Sequence, residues 1–189
     1  MRRVRYSVAV SLDGYIATPK GEADWIIMDP EIDFAGLFEQ FDTFLLGRRT
    51  FEPMARAQRG NTPGVKTFVF SRTLRQEDYP GVTIVGERVE ETVAALRAES
   101  GKDIWLFGGG SLFCSLLDAG LVDTVEVALM PVLLGEGIPL LSPPARQQKL
   151  QLTDHKVYSS GIVSLEYTVI KAPSNKSSKN KTRRTKRPK

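Results

Sequence analysis

Short apolar runs alternate with segments of helical period along most of the chain. Each run is continuous or nearly so and is rich in β-branched and aromatic residues, which is typical of strands buried on both faces. The runs occupy residues 4–10, 43–46, 65–70, 82–85, 104–107, 125–130 and 162–170. The last of them alternates polar and apolar residues, so we expect it to form an antiparallel pair.

Four segments between these runs predict helices. Asp29 is expected to cap the first helix, with Pro30 in the first helical position and an apolar stripe that begins at Ile32. The other helices are predicted at residues 50–57, 87–101 and 111–119, and Gly101 and Gly120 end the last two. Strands that alternate with helices predict an α/β fold in which helices cover both faces of one sheet. Its parallel strands should be joined by right-handed crossovers.

The charge changes this picture only at the C-terminal end. The chain has 189 residues and a net charge of +4, yet residues 171–189 carry nine Lys and Arg and no acid. Removing those nine charges leaves the first 170 residues at −5. We therefore expect one domain over residues 1–171 and a disordered basic tail over residues 172–189. The tail has no aromatic residue, so it predicts at most weak, non-specific contact with nucleic acid.

Several functional classes are excluded by composition. No apolar run approaches the ~20 residues of a membrane span, and the first residues do not form a signal sequence, so the expected compartment is the cytoplasm. One cysteine, Cys114, and one histidine, His155, are too few for a zinc site or a zinc deaminase centre. We expect Cys114 to belong to the core and His155 to be a surface or structural residue.

The sharpest chemical signal is a run of three glycines between a strand and a helix. Gly108, Gly109 and Gly110 follow the strand at 104–107, and Ser111 opens the next helix. Bare glycines let a ligand approach the backbone, and a helix N-terminus presents free N–H groups and a positive dipole end. The segment therefore predicts a phosphate cradle. It lacks the G-x-G-x-x-G spacing of the common dinucleotide fingerprint and the G-K-[ST] of a P-loop, so it belongs to another nucleotide-binding design.

Two further strand ends carry groups suited to binding phosphate. Arginine contacts phosphate through two parallel N–H groups, and hydroxyls can cap a helix or donate to phosphate oxygens. These groups are Arg48, Arg49 and Thr50, which follow Gly47 after the strand at 43–46, and Ser71 and Arg72 after the strand at 65–70. Because the carboxyl ends of parallel strands share one edge of a sheet, three such ends predict one anion-binding site.

These motifs resemble the dihydrofolate reductase superfamily, and within it the reductase domain of bacterial riboflavin-biosynthesis deaminase-reductases. The similar segments are residues 11–17 (SLDGYIA), 47–52 (GRRTFE), 70–72 (FSR), 108–112 (GGGSL), 121–123 (LVD) and 131–137 (PVLLGEG). Together they cover essentially all of residues 1–170. The resemblance implies a three-layer αβα fold with a mostly parallel central sheet and antiparallel C-terminal strands. It also implies NADPH as the cofactor and a cis peptide between Gly108 and Gly109, and related reductases are often homodimers.

The resemblance further implies which residues hold the cofactor. Side chains at the ends of the second and third strands would bind the adenosine 2′-phosphate and the diphosphate, the glycine backbone would bind the diphosphate and ribose, and three residues near the first strand would flank the nicotinamide. The expected cofactor-binding residues are Ala9, Ile16, Ala17, Gly47, Arg48, Arg49, Thr50, Ser71, Arg72, Gly108, Gly109, Gly110, Ser111 and Leu112.

The sequence offers several candidates for the catalytic acid and does not select one of them. Folate-reducing members of the superfamily carry a carboxylate at the start of the helix after the first loop, and Asp33 or Glu31 occupies that place here. Both are also residues that the dipole of a first helical turn favours. Asp13 is a second catalytic candidate, which either contacts the substrate or orders its loop. Glu126 and Glu136 are further carboxylates to consider.

The hypothesis for function is an NADPH-dependent reductase that transfers hydride to a C=N or C=O bond of a small polar substrate. In the riboflavin-type branch the substrate is 5-amino-6-(5-phosphoribosylamino)uracil, whose opened ribose is reduced. The alternative hypothesis for an enzyme is that the protein reduces dihydrofolate. The alternative hypothesis outside enzymes is that the protein associates with nucleic acid through its basic tail.

Overall fold

The computed structural model describes residues 1–57, 60 and 62–171. Its elements follow the predicted alternation of strands and helices. The strands are β1 (Val4–Ser11), β2 (Tyr15–Ala17), β3 (Phe41–Gly47), β4 (Lys66–Phe70), β5 (Thr83–Val85), β6 (Asp103–Gly108), β7 (Thr124–Met130), β8 (Ile138–Pro139), β9 (Lys149–Val157) and β10 (Val163–Ile170). The helices are α1 (Phe34–Glu39), α2 (Arg48–Arg56), α3 (Val89–Ala98) and α4 (Gly110–Asp118), with a short 3₁₀ turn at Gln76–Asp78. The expected basic tail at 172–189 lies outside the described residues.

Eight of the strands form one sheet in the order β5-β4-β3-β6-β1-β7-β10-β9. The pairs from β5 across to β7 are parallel, whereas β10 runs antiparallel to both β7 and β9. Strands β2 and β8 form a separate antiparallel pair. The predicted sheet, mostly parallel with antiparallel C-terminal strands, is confirmed.

The sheet separates two hydrophobic cores, because successive strand residues point to opposite faces. Leu45 and Leu106 belong to one core, in which the apolar faces of α3 and α4 are buried. Their neighbours Leu46 and Trp105 belong to the other core, which also contains Phe51 of α2. Helices therefore cover both faces of the central strands, and the three-layer arrangement is confirmed.

The first helix begins later than the sequence predicts. Asp33 is the N-cap of α1, and its carboxylate accepts a hydrogen bond of 2.8 Å from the Gly36 amide. Gly36 permits this geometry because a Cβ there would collide with the Asp33 carboxylate. The predicted cap, Asp29, instead accepts from the Glu31 amide at 2.8 Å. An Asp side chain can bond to the backbone two residues on and so form a turn, and at Asp29 that turn replaces the expected helix start.

Other differences concern short or exposed elements. Helix α2 begins at Arg48, two residues before the predicted start, so both arginines lie in its first turn. Strands β2, β8 and β9 were not predicted: the first two have three and two residues, and all nine residues of β9 are exposed. A strand that contributes little to a core lacks the apolar pattern on which prediction depends. Among the described residues, no helix is long and apolar enough to cross a membrane.

Candidate active site

An open cleft of about 1,930 Å³ lies along the carboxyl ends of the central strands and continues over one face of the sheet. All of the expected cofactor-binding residues line it except Ser71, and so does Asp33. We name two parts of this cleft by their residues. The glycine end comprises Gly47, Arg48, Arg49, Thr50, Arg72, Gly108, Gly109 and Gly110, and the acidic floor comprises Arg5, Ser7, Glu126, Ser164 and Glu166.

The glycine end is formed where β3 and β6 stop side by side. Leu46 pairs with Gly108 in the sheet, and a Cβ added to Gly47 would lie 3.6 Å from the Gly109 nitrogen. The Gly108–Gly109 peptide is cis, as predicted, and Gly108 has a φ of +141°, which side chains rarely tolerate. A Cβ on Gly109 would approach the Thr50 hydroxyl to 3.3 Å. Backbone and hydroxyl groups therefore line a surface that is open because side chains are absent from it.

Two helices begin at this surface. Gly47 is the N-cap of α2 and Gly109 is the N-cap of α4, and neither cap forms a side-chain hydrogen bond to its helix within the described residues. The first amides of an α-helix have no partner inside the helix and carry its positive dipole end. Two helix N-termini without side-chain caps therefore meet in one cleft, an arrangement suited to a ligand with more than one phosphate.

Arginines add positive charge around these helix starts. Arg48, Arg49 and Arg72 line the cleft, and Arg48 forms an ion pair of 3.3 Å with Glu52 one turn along α2. That pair is exposed and is expected to yield readily to a stronger anion. Ser71 is buried behind the lining, where its hydroxyl accepts from the Thr73 and Leu74 amides at 3.2 and 3.1 Å. Its bonds shape the turn that carries Arg72.

The wall next to the glycine end is apolar. Ala9, Ile16 and Ala17 line it, and β8 packs against β2 so closely that a Cβ on Gly137 would collide with the Ala17 carbonyl. This wall presents no charged group of its own. It is suited to a flat, weakly polar ring and to the exclusion of water.

Asp13 stabilises the loops behind this wall and does not line the cleft. Its carboxylate accepts from the Ser11 hydroxyl at 2.6 Å, from the Gly135 amide at 2.7 Å and from the Leu134 amide at 3.1 Å. The hydrogen bond from Ser11, followed by those from the two amides, lowers the pKa of Asp13 below its ordinary value. Of its two expected roles, this geometry matches the ordering of the loop.

The acidic floor is organised around a buried arginine. Arg5 of β1 binds both carboxylate oxygens of Glu126 in β7, through Nε at 2.6 Å and Nη2 at 2.9 Å. Its Nη1 donates to the Gln40 side chain at 2.6 Å and lies 3.6 Å from Asp103. Burial opposes its charge, but the hydrogen bond and charge of Glu126, with the charges of Asp103 and Glu166, raise the pKa of Arg5 above its ordinary value. Arg5 therefore links β1, β6, β7 and the end of α1.

Glu166 lies directly across from Glu126, because the two residues are partners in the antiparallel pairing of β10 with β7. Glu166 is among the residues that line the cleft, and its carboxylate has no side-chain hydrogen bond or ion pair in the part of the chain that the structure describes. The aromatic residues Phe38, Trp105 and Phe107 also line the cleft, and Phe38 is 41% exposed. Trp105 and Phe107 belong to β6, which β1 and β7 separate from β10 in the sheet. The acidic floor and the aromatic residues are therefore separate parts of one cleft, the first rich in charge and the second apolar.

The remaining carboxylates are partly engaged. Asp33 lines the cleft, with one oxygen occupied as the cap of α1. Glu31 also lines it and accepts from the Ser159 hydroxyl at 2.7 Å, while Glu136 lies outside the lining. Among the carboxylates that the sequence suggested as catalytic acids, Glu126 is bound to Arg5, whereas Asp33 lines the cleft and only one of its oxygens accepts a hydrogen bond within the described residues. Its catalytic role stays a prediction.

Cys114 and His155 lie outside the cleft lining. The expectation that Cys114 belongs to the core is wrong: the residue is only half-buried on α4 and lies outside both cores, and its thiol donates to the Pro144 carbonyl at 3.8 Å. Burial, assisted by the nearby charge of Asp118, raises the pKa of this thiol, which keeps it in its unreactive form. His155 is exposed on β9, as expected.

Of the acidic floor, sequence reasoning considered only Glu126, as one of several carboxylates, and missed its pairing with Arg5 and the role of the other residues. Arg5 interrupts an apolar run that forms a central strand, and such an interruption signals a buried charge in need of a partner. The partner, Glu126, is 121 positions away. Glu166 carries no such signal, because a glutamate in an alternating strand is usually a solvated residue.

Comparison with known proteins agrees with this geometry. The family model for the RibD C-terminal domain matches residues 2–164. The uncharacterized protein YyaP of Bacillus subtilis (strain 168) is 35% identical over 178 residues, which span 88% of this chain and 94% of YyaP.

Two solved structures have the same fold. A protein from Shewanella sp. PV-4, which bears a provisional riboflavin-biosynthesis name, superposes with a TM-score of 0.74 at 27% identity, over 89% of this chain and 99% of that protein. Dihydrofolate reductase from Enterococcus faecalis, in complex with NADP(H), superposes with a TM-score of 0.65 at 19% identity, over 88% of this chain and 96% of the enzyme. The dihydrofolate reductase-like fold is therefore confirmed, and the chain belongs to the RibD C-terminal domain family of reductase-type enzymes.

Proposed function

We propose that this protein is an NADPH-dependent reductase that acts on a small nitrogen heterocycle. The observation that carries the proposal is the glycine end, where two helix N-termini without side-chain caps and three arginines meet beside bare glycine backbone. The solved neighbour that binds NADP(H) supports the same cofactor for this fold.

The residues present fit that cofactor. The amides at the starts of α2 and α4 would hold the diphosphate, and the open backbone at Gly108 and Gly109 leaves room for it. Arg48 and Arg72 would hold the adenosine 2′-phosphate, with Thr50 as a hydroxyl donor. The excess of arginine over acid at this end favours a ligand with the additional phosphate, and therefore NADPH over NADH.

When bound, the nicotinamide supplies hydride to the substrate carbon. The chain's own residues bind, orient and exclude water. Ala9, Ile16 and Ala17 provide the apolar wall, and the aromatic side chains of Phe38, Trp105 and Phe107 offer a surface on which a planar ring would stack. Asp33, or water that it orders, would deliver the accompanying proton to a nitrogen or oxygen of the substrate.

The substrate that the family favours is 5-amino-6-(5-phosphoribosylamino)uracil. The match to the RibD C-terminal domain and the riboflavin-biosynthesis name of the Shewanella protein support it. Oxidation of NADPH in the presence of this compound, followed by absorbance, tests the assignment. Absence of turnover at millimolar substrate, from enzyme that binds NADPH, would remove this substrate from consideration.

Dihydrofolate is the second candidate, because the fold is also that of dihydrofolate reductase. Methotrexate separates the two candidates, since a folate site binds it tightly and a site for a phosphoribosylated pyrimidine does not. Tight binding measured by fluorescence quenching would favour the folate reading.

The cofactor assignment is tested by titration with NADPH and NADH. We expect the wild type to prefer NADPH and the Arg48→Ala/Arg72→Ala variant to lose that preference, by tenfold or more in Kd. Arg75→Ala is the matched control, because Arg75 is also exposed, lies three residues after Arg72 and does not line the cleft. Equal affinity for the two nucleotides in the wild type would contradict the proposal.

Two expectations about partners stay predictions. A homodimer would show as twice the chain mass in sedimentation. Deletion of residues 172–189 should leave NADPH affinity unchanged, since that segment supplies none of the cleft residues named above.

A further inference from the structure

The two edges of the main sheet differ in length and in exposure. At one edge β5 has three residues, whereas β9 at the other edge has nine residues, all of them exposed. Among the described residues, β9 pairs with β10 alone, so main-chain groups on its outer side are available to a further strand. A long exposed edge of this kind is a place at which another chain can add a strand. The inference drawn from it goes beyond the proposed function and does not depend on it.

The hairpin between β9 and β10 shows which main-chain groups of β9 face outwards. The Tyr158 amide donates to the Ile162 carbonyl at 2.9 Å, so main-chain groups point towards each other at this pair. Pairs with and without such hydrogen bonds alternate along an antiparallel ladder. The register continues this alternation along β9, so the main-chain groups of Lys156 face β10. The N–H and C=O groups of His155 and Val157 therefore point away from the sheet.

Opposite charges flank His155 on this strand. Asp154 and Lys156 are two positions apart, so their side chains lie on the same face of the sheet. Both residues are exposed, and within the described part of the chain neither forms an ion pair. On its inner side Asp154 is the partner of Glu166, which has the same charge. A cation on the outer side of Asp154 would offset that repulsion.

A second copy of β9 matches this edge in both charge and main-chain direction. When two copies pair about a two-fold axis, the residue at the axis faces its own copy. An axis at Asp154 or at Lys156 would place like charges opposite each other, and an axis at Thr153 would place both charges opposite leucines. An axis at His155 places each Asp154 opposite the partner subunit's Lys156. The same axis brings together the outward N–H and C=O groups of His155 from the two copies.

We propose that β9 is a homodimer interface, at which two copies of the chain join their sheets edge to edge about a two-fold axis at His155. Main-chain hydrogen bonds supply most of the affinity, and the two ion pairs select the register, because exposed ion pairs contribute little by themselves. Lys156 also lines the cleft. The partner subunit's Asp154 therefore lies at the rim of each cleft and adds a carboxylate to its surroundings.

Charge reversal tests this interface by sedimentation velocity on the full chain. We expect the wild type to be a dimer. Asp154→Lys and Lys156→Asp should each weaken the dimer at least tenfold, because each variant replaces two ion pairs by two repulsive contacts. An equimolar mixture of the two variants should dimerise as the wild type does, since both facing pairs are again opposite in charge. That recovery would also show that the two variants fold.

Lys149→Glu is the matched control. Lys149 is an exposed lysine of the same strand, but with the axis at His155 it lies opposite no residue of the partner's β9, so this variant should remain a dimer. The inference is overturned if the wild type is a monomer, if either single reversal dimerises as tightly as the wild type, or if the mixture of the two stays monomeric.

Disulfide cross-linking locates the axis. Cα atoms that face each other at a hydrogen-bonded antiparallel pair are about 5.5 Å apart, a distance that a disulfide can span. In a Cys114→Ser background, His155→Cys should therefore link two copies on mild oxidation. Gln151→Cys should not, because its two copies would lie about 27 Å apart along the paired strands. Cross-linking through Gln151→Cys, or none through His155→Cys, would contradict an axis at His155.

Discussion

The two parts of the cleft offer different kinds of chemical group to a ligand. The glycine end uses backbone amides, helix N-termini and exposed arginines, all from residues adjacent to strand ends. The acidic floor uses side chains from the middle of strands, held by a buried ion pair between β1 and β7. The glycine end presents bare backbone, because its glycines have no side chains, whereas the acidic floor presents charged side chains that are held in place. We therefore expect substitutions that add atoms to disrupt the glycine end, and substitutions that remove a charged side chain to disrupt the acidic floor.

The largest expected effect is on stability, from Arg5→Met at the acidic floor. The side chains of Arg5 and Glu126 are 8% and 12% exposed. Removing Arg5 leaves the largely buried carboxylate of Glu126 without its ion-pair partner, so we expect a loss of about 3–5 kcal/mol in the free energy of unfolding. Urea denaturation followed by circular dichroism measures it.

The control is Arg3→Met, because Arg3 lies immediately before β1 and two positions before Arg5. Arg3 also pairs with an acid, Asp103, but its side chain is 55% exposed. An exposed pair contributes little, so this variant should lose about 1 kcal/mol or less. Equal losses in the two variants would mean that the floor is not organised by burial of Arg5.

The next effect is on binding, from Gly47→Ala at the glycine end. The added methyl group would lie 3.6 Å from the Gly109 nitrogen and 3.7 Å from the Gly108 oxygen, which are ordinary contacts within the protein. Folding should be little changed, while the methyl group occupies space above the amides that would receive the diphosphate. We expect NADPH to bind about tenfold more weakly, a cost of about 1.4 kcal/mol.

Gly86→Ala provides the comparison for this prediction. A methyl group there would lie 3.7 Å from the Ser71 carbonyl oxygen, a similar ordinary contact, and Gly86 does not line the cleft. NADPH affinity should stay at the wild-type value. If Gly47→Ala also binds as the wild type does, the cofactor does not use the surface between β3 and β6.

The same contrast explains what could be predicted from the sequence. The glycine end is encoded by contiguous segments, since each strand end and helix start follow one another along the chain, and so its residues could be identified together. The acidic floor joins Arg5 to Asp103, Glu126 and Glu166, and only the order of strands in the sheet brings them side by side. The parallel core was predictable because its strands are buried on both faces. The start of α1 was not, since Asp29 and Asp33 both have the chemistry of a cap and only Gly36 favours the second.

The smallest expected effect concerns Asp13, which supports the loops behind the apolar wall between the two parts. Because hydrogen bonds hold its pKa below the ordinary value, ionised Asp13 stabilises the folded state above the unfolded-state pKa of about 4. That contribution declines as pH falls through the lower pKa of the folded protein. Asp13→Asn should therefore be less stable than the wild type at pH 7, and the difference should shrink at pH 3. Urea denaturation at the two pH values measures this, and a difference that is the same at both would show that the charge of Asp13 has no part in ordering the loop.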